Sequence, residues 1–156
     1  MGESAAVKLA MKDRLIFGEE KTHEILSNQW IPLTAKCSIQ EKTRLSGLFD
    51  KKCGGGVIAH INIESEFPNE ESAWKMLNYL AKNNVIYFAF NSKINECEKH
   101  HGFVGSKTCP ECGGKVIDTY QRIVGYLVPS RNYSSPRKKE TSNRLCYKIG
   151  QLLDNI

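Results

Sequence analysis

Apolar residues at Val7, Met11 and Leu15 recur at the spacing of one helix face, so residues 3–17 are predicted to form a helix. Ser4 is placed to cap it and Gly18 to end it, and its apolar stripe reads as a docking face. Residues 27–33 read as extended, because Pro32 drives the residue before it away from helical angles. A second helix is expected over residues 39–46, opened by a Ser38-x-x-Glu41 capping box, with Gly47 near its end. A glycine-rich turn over residues 50–56 leads into a branched apolar run at 57–63, the pattern of a buried strand. Asn69 can cap a helix over 70–82 whose apolar face is Ala73, Met76, Leu77, Leu80 and Ala81. Residues 85–90 form the next strand. Strand, helix and strand in this order predict a right-handed parallel βαβ unit, which by itself cannot cover both faces of its sheet. Residues 115–123 read as a further strand and 128–136 as a loop. A last helix is expected from near Pro136 through Leu145 toward Leu152, with Gly150 as its weak point.

Composition narrows the class. The 156 residues are the size of one domain, and a 40% hydrophobic share is enough for a core. The net charge of +5 has its excess in a block formed by Arg131, Arg137, Lys138, Lys139, Arg144 and Lys148, read as a solvated basic face that would also suit an anionic partner. No apolar run approaches the ~20 residues that cross a bilayer, and the first residues lack a signal-peptide pattern, so no membrane partner is expected and the cytoplasm is the expected compartment. In that compartment six cysteines point to metal and free thiols. Three of them, Cys37, Cys53 and Cys146, read as small buried groups or free thiols. His60 reads as a core or rim histidine bonded to backbone, and Trp30 and Trp74 as packing residues. The three glycines at 54–56 precede a strand and lack the GxxxxGK[ST] pattern, which argues against a phosphate loop.

The other three cysteines carry candidate chemistry. Cys109-Pro110-Glu111-Cys112-Gly113-Gly114 is a CxxC knuckle whose glycines let backbone amides face two thiolates. Cys97 begins the other half, with either His100 or His101 as an imidazole, and eleven residues separate Cys97 from Cys109. A Cys3His set suits tetrahedral Zn2+. The glycine after His101 repeats the Cys112-Gly113 pattern and favours His101 over His100. A disulfide, unrelated cysteines and a redox CxxC are the other readings; the last would place the motif between a strand and a helix, whereas glycines and charges surround it here.

Downstream, Arg122-Ile123-Val124-Gly125-Tyr126-Leu127 follows these ligands. Alone, Gly125 would read as a bulge or close-approach glycine in a strand. Zinc knuckles, a short strand and R-I-V-G-Y-L together resemble the C-terminal portion of the anaerobic (class III) ribonucleoside-triphosphate reductases, across residues 87–144 and more loosely 27–63. The resemblance implies an α/β fold: the closing βαβ part of a glycyl-radical-enzyme barrel (1–92), a zinc-binding module (93–116), and a glycyl-radical loop with a C-terminal helix (117–156). It implies a stored radical on the α-carbon of Gly125, where the missing β-carbon lets the centre flatten. It also implies an S-adenosylmethionine/iron–sulfur activase, a ribonucleoside triphosphate substrate, and a thiyl cysteine supplied by a large reductase chain or a second copy. No residue here matches the motif of that cysteine. Two other functions remain open: a zinc-ribbon nucleic-acid module using the basic tail with Tyr120, Tyr126 and Tyr133, which explains neither the βαβ unit nor the glycine string, and a non-catalytic repair subunit for a truncated enzyme.

Overall fold

The computed structural model describes residues 3–21, 23–54, 57–123, 126–154 and 156. Its elements in order are α1 (Glu3–Phe17), α2 (Ile39–Asp50), β1 (Ala59–Asn62), α3 (Glu70–Lys82), β2 (Phe88–Asn91), β3 (Ile94–Cys97), β4 (Gly102–Val104), β5 (Val116–Ile123), β6 (Tyr126–Pro129), α4 (Ser135–Ser142) and α5 (Ile149–Asp154). They form a mixed α/β fold with two sheets, a parallel pair β1-β2 and an antiparallel sheet in the order β4-β3-β5-β6.

The predicted βαβ unit is present, with Ala59 opposite Phe88 and Asn62 opposite Asn91 in parallel register. Its core comprises Ile39, Ala59, Ile61, Ile63, Met76, Leu80, Val85, Ile149 and Leu152. The second strand starts three residues later than expected. Val85 is still bonded to the carbonyl of Leu80 at the end of α3, and the amide of Ile86 donates to Asp50 Oδ2 at 3.0 Å, so these residues are held by helices before the ladder begins.

The Ser38–Glu41 capping box forms as predicted and opens α2. Gly47, however, lies within α2, where an added β-carbon would sit 1.8 Å from the carbonyl oxygen of Asn83. The residue is a contact point between two helices, because only a bare α-carbon lets α2 reach the end of α3.

Other expectations are corrected. In α1 the buried side is Ala6 and Ala10, while Met11 and Leu15 of the predicted stripe are exposed. Residues 27–33, read as extended, lie outside both sheets and bend at 28–31 before a turn at 33. The loop expected from residue 128 begins later, since β6 continues to Pro129. The last helix is two helices: Leu145 N–H donates to the Leu33 carbonyl, and Tyr147 exchanges backbone bonds with Asn62 and Glu64, laying the chain beside the edge of β1. Trp30 does pack, stacked on Phe49, but Trp74 is exposed and donates to Glu70 of its own helix. No described helix is long and apolar enough to cross a membrane.

Candidate functional site

The antiparallel sheet organises the candidate ligands. Cys97 ends β3 opposite Val116, and β3 and β4 are joined by a tight turn in which His100 takes a positive φ of 60°. The CxxC knuckle lies in the connection from β4 to β5, closed by bonds from the Cys109 amide to the Gly114 carbonyl and from the Gly113 amide to the Cys109 carbonyl. Gly113 needs its φ of 68°, and a β-carbon on Gly114 would stand 3.2 Å from the Cys112 sulfur.

One ligand atom each from Cys97, His101, Cys109 and Cys112 lies within 4.8 Å of all the others. Cys97 Sγ is 3.7 Å from Cys112 Sγ, and Cys109 Sγ is 3.4 Å from His101 Nδ1. Zinc with sulfur ligands at ~2.3 Å and nitrogen at ~2.0 Å puts tetrahedral neighbours about 3.5–3.8 Å apart. The spacing therefore suits zinc and is far too long for a disulfide, whose sulfurs sit ~2.05 Å apart. His100 points elsewhere, with Nδ1 2.5 Å from Glu96 Oε1. Burial pushes the Cys97 thiol up, but the amides of His101 and Lys99 and the neighbouring thiols outweigh it and hold the group below its ordinary value. The Cys112 thiol is raised: the Gly114 amide lowers it, but burial and the Cys109 and Cys97 thiols prevail.

From this cluster β5 runs to Ile123 and returns as β6, with Tyr120 opposite Pro129 and Ile123 opposite Tyr126. Val124 and Gly125 lie outside the described residues. The strand on the near side is buttressed. Tyr133 hydroxyl donates to the Gln121 carbonyl at 3.3 Å, and Arg144 Nη1 donates to the Arg122 carbonyl at 3.3 Å. Arg144 is itself gripped by both carboxylate oxygens of Glu140 at 2.9 Å. The basic block is thus not simply a solvated face: Arg144 is buried, Arg131 pairs with the buried Asp118 at 2.6 Å, Arg137 with Glu140 at 3.0 Å, and Lys139 with Glu24. Nothing in the sequence marked Tyr133 and Arg144 as supports, because their partners are backbone carbonyls 12 and 22 positions away.

His60 is buried on β1, and its partner is a side chain rather than backbone: Asn91 Nδ2 lies 2.9 Å from His60 Nδ1, which accepts. Asn91 also donates to Asn62, which donates to the Leu145 carbonyl. Burial first, then the charges of Arg122, Arg144 and Lys42, push the imidazole down to about 4. Cys37 is half-buried beside the Tyr147 hydroxyl, Cys53 is exposed and Cys146 half-buried.

Residues 2–147 match the family model described as anaerobic ribonucleoside-triphosphate reductase. Among solved structures, one titled anaerobic ribonucleotide reductase is 46% identical with a TM-score of 0.83, over 94% of this chain and 24% of that one. The anaerobic ribonucleotide reductase from Thermotoga maritima with MES in the active site is 48% identical with a TM-score of 0.72, over 83% of this chain and 22% of that one. The same enzyme in complex with dATP and CTP is 45% identical with a TM-score of 0.71, over 92% and 23%. The chain spans about a quarter of the length of these relatives. No curated protein sequence matches it. The fold, the sheets and the family match agree, and the chain belongs to the anaerobic ribonucleoside-triphosphate reductase family, of which it corresponds to the C-terminal part.

Proposed function

We propose that this chain is the radical-storing part of an anaerobic ribonucleotide reductase, with the radical on Gly125. The observation that carries this reading is the path of β5, which leaves the Cys3His cluster at Val116 and reaches Arg122-Ile123, two residues short of Tyr126 on the returning strand. Those paired strands are anchored at one end by the cluster and along one side by Tyr133 and Arg144, and in sequence Gly125 immediately precedes the returning strand.

In this reading a radical-S-adenosylmethionine activase removes a hydrogen atom from the α-carbon of Gly125. A cysteine of a large reductase chain, or of a second copy of a longer form, then returns a hydrogen atom from sulfur to that carbon and becomes the thiyl that opens reduction of a ribonucleoside triphosphate. The hydrogen and the unpaired electron exchange places, so the balance closes. Flanking residues support an inserted loop: Tyr126 and Leu127 are 69% and 48% exposed, and β2 has no strand on its far side among the described residues. A partner chain that completes the barrel would cover both. Zinc held by Cys97, His101, Cys109 and Cys112 would supply no redox chemistry; its role is to keep the base of the hairpin folded while the activase reaches the tip. The divisions 1–92, 93–116 and 117–156 are functional rather than independent folding units, since β5 begins in the second and ends in the third. The expected compartment is the cytoplasm.

The test is anaerobic incubation with the activase, reductant and S-adenosylmethionine, followed by electron paramagnetic resonance. A glycyl doublet that disappears in Gly125→Ala is the expected result, with reductase activity only when a large chain is added. Admission of air should then cut the backbone at Gly125. No doublet under any combination, together with retention on immobilised nucleic acid, would replace this reading by the zinc-ribbon module.

A further inference from the structure

A cavity of about 450 Å³ lies among α1, the segment from residue 23 to 36, β1, β5 and α4. Its wall carries Arg14, Lys36, Arg122, Arg137, Lys139 and Arg144 against the carboxylates of Glu19, Glu24 and Glu140. The pairing is uneven. Glu24 is taken by Lys139, and Glu140 by both Arg137 and Arg144. No carboxylate of a described residue lies within ion-pairing distance of Arg14, Lys36 or Arg122, and Arg14 Nε is buried with no acceptor. His60 lines the same space, and because its Nδ1 accepts from Asn91, its proton sits on Nε2, a donor. Six cations face the carboxylates of Glu19, Glu24 and Glu140 around this partly desolvated space, and even with Arg14 near enough to Glu24 to act on its charge, negative charge is in deficit.

We infer that this cavity is a binding site for a small oxyanion, a phosphate or a carboxylate, held by the guanidinium groups of Arg122 and Arg14 with His60 Nε2–H as a neutral donor. Guanidinium pairs with both oxyanions through parallel charge-assisted hydrogen bonds, and Lys36 adds a point charge. The low protonation tendency of His60 fits the arrangement: burial first, then the charges of Arg122, Arg144 and Lys42, keep the ring neutral, which suits a donor through Nε2–H. The site stands apart from the radical reading: it needs neither Gly125 nor the metal, and either idea can fail alone.

The experiment is titration of the whole chain, zinc-loaded, with sodium phosphate and separately with sodium acetate, at constant ionic strength set by chloride. Heat is followed by calorimetry and the His60 ring by NMR at fixed pH. Saturable binding with displacement of the His60 signals is expected, weakened about tenfold or more in Arg122→Gln and in Arg14→Gln and unchanged in Lys82→Gln, an exposed cation at the end of α3. Circular dichroism of each variant separates lost binding from lost folding, and two variants on different elements guard against one failing to fold. A response to phosphate alone would assign a phosphorylated ligand, and to acetate alone a carboxylate. Absence of saturation into the ~mM range, or equal weakening by Lys82→Gln, would overturn the site.

Discussion

At the scale of single residues, Gly47 and His60 show how a common residue acquires a demanding environment. Gly47→Ala should lower stability by about 3 kcal/mol in urea unfolding, because its methyl must displace the Asn83 backbone rather than a flexible side chain. An effect under ~0.5 kcal/mol would show that the two helices are not in contact in solution. His60 is held neutral in the folded chain down to about pH 4, while the unfolded chain takes up the proton near its ordinary value of 6.5. The unfolded state then binds more protons in that window, so stability is full above about 6.5 and falls as pH drops toward 4, by at most ~3 kcal/mol. Acid titration of the unfolding free energy should show this slope in the wild type, and His60→Gln should flatten it. An unchanged slope would mean that the carboxylates dominate. Neither environment was legible beforehand. Gly47 falls where a helix end is also plausible, and the charges that depress His60 come from α2, β5 and the second residue after α4.

At the scale of elements, local signals were read well. The capping box at Ser38, the Asn69 cap of α3 and the strand from 116 to 123 are encoded within a few residues of themselves. Elements that answer to distant backbone were misjudged. Residues 143–148 fall inside the helix expected from near Pro136 toward Leu152, yet the Asn62 and Leu33 carbonyls and the Glu64 amide draw them out of a helix. Among the candidate ligands, the two thiols of the knuckle were marked by CxxC spacing, whereas His100 and His101 are adjacent and spacing could not separate them. The positive φ at His100 does so, by turning one imidazole to Glu96 and the next toward Cys109.

At the scale of the whole molecule, two cores of unequal size set the response to metal removal. Among the described residues the βαβ core is built from nine buried side chains, whereas the cluster around Cys97, Phe103 and Cys109 is small and consists mainly of candidate ligands. On the zinc reading, a sheet with so little apolar burial depends on the metal as its staple, since structural zinc supplies about 10 kcal/mol or more in small peptides. Chelation, or Cys109→Ser with Cys112→Ser, should therefore abolish amide-exchange protection over residues 94–129 while α3 keeps most of its own. Bound zinc should fall from one equivalent to none by atomic spectroscopy. Simultaneous loss of both regions would show a single cooperative unit. On the radical reading, the metal-free protein should also yield a weaker glycyl signal.

The sequence by itself determined the family-bearing string around Gly125, the candidate thiol ligands, the capped helices and the parallel βαβ order. Each of these depends on residue type at short spacing, where chain connectivity already brings the groups together. Only the tertiary structure decided which histidine joins the cluster, which glycine marks a helix contact, where the last helix breaks, and that the basic residues near the C-terminus divide between internal ion pairs and a cationic cavity. Those outcomes rest on contacts between segments up to more than a hundred residues apart, such as Glu24 with Lys139, and a pattern of side chains carries no register for such meetings until the backbone has folded.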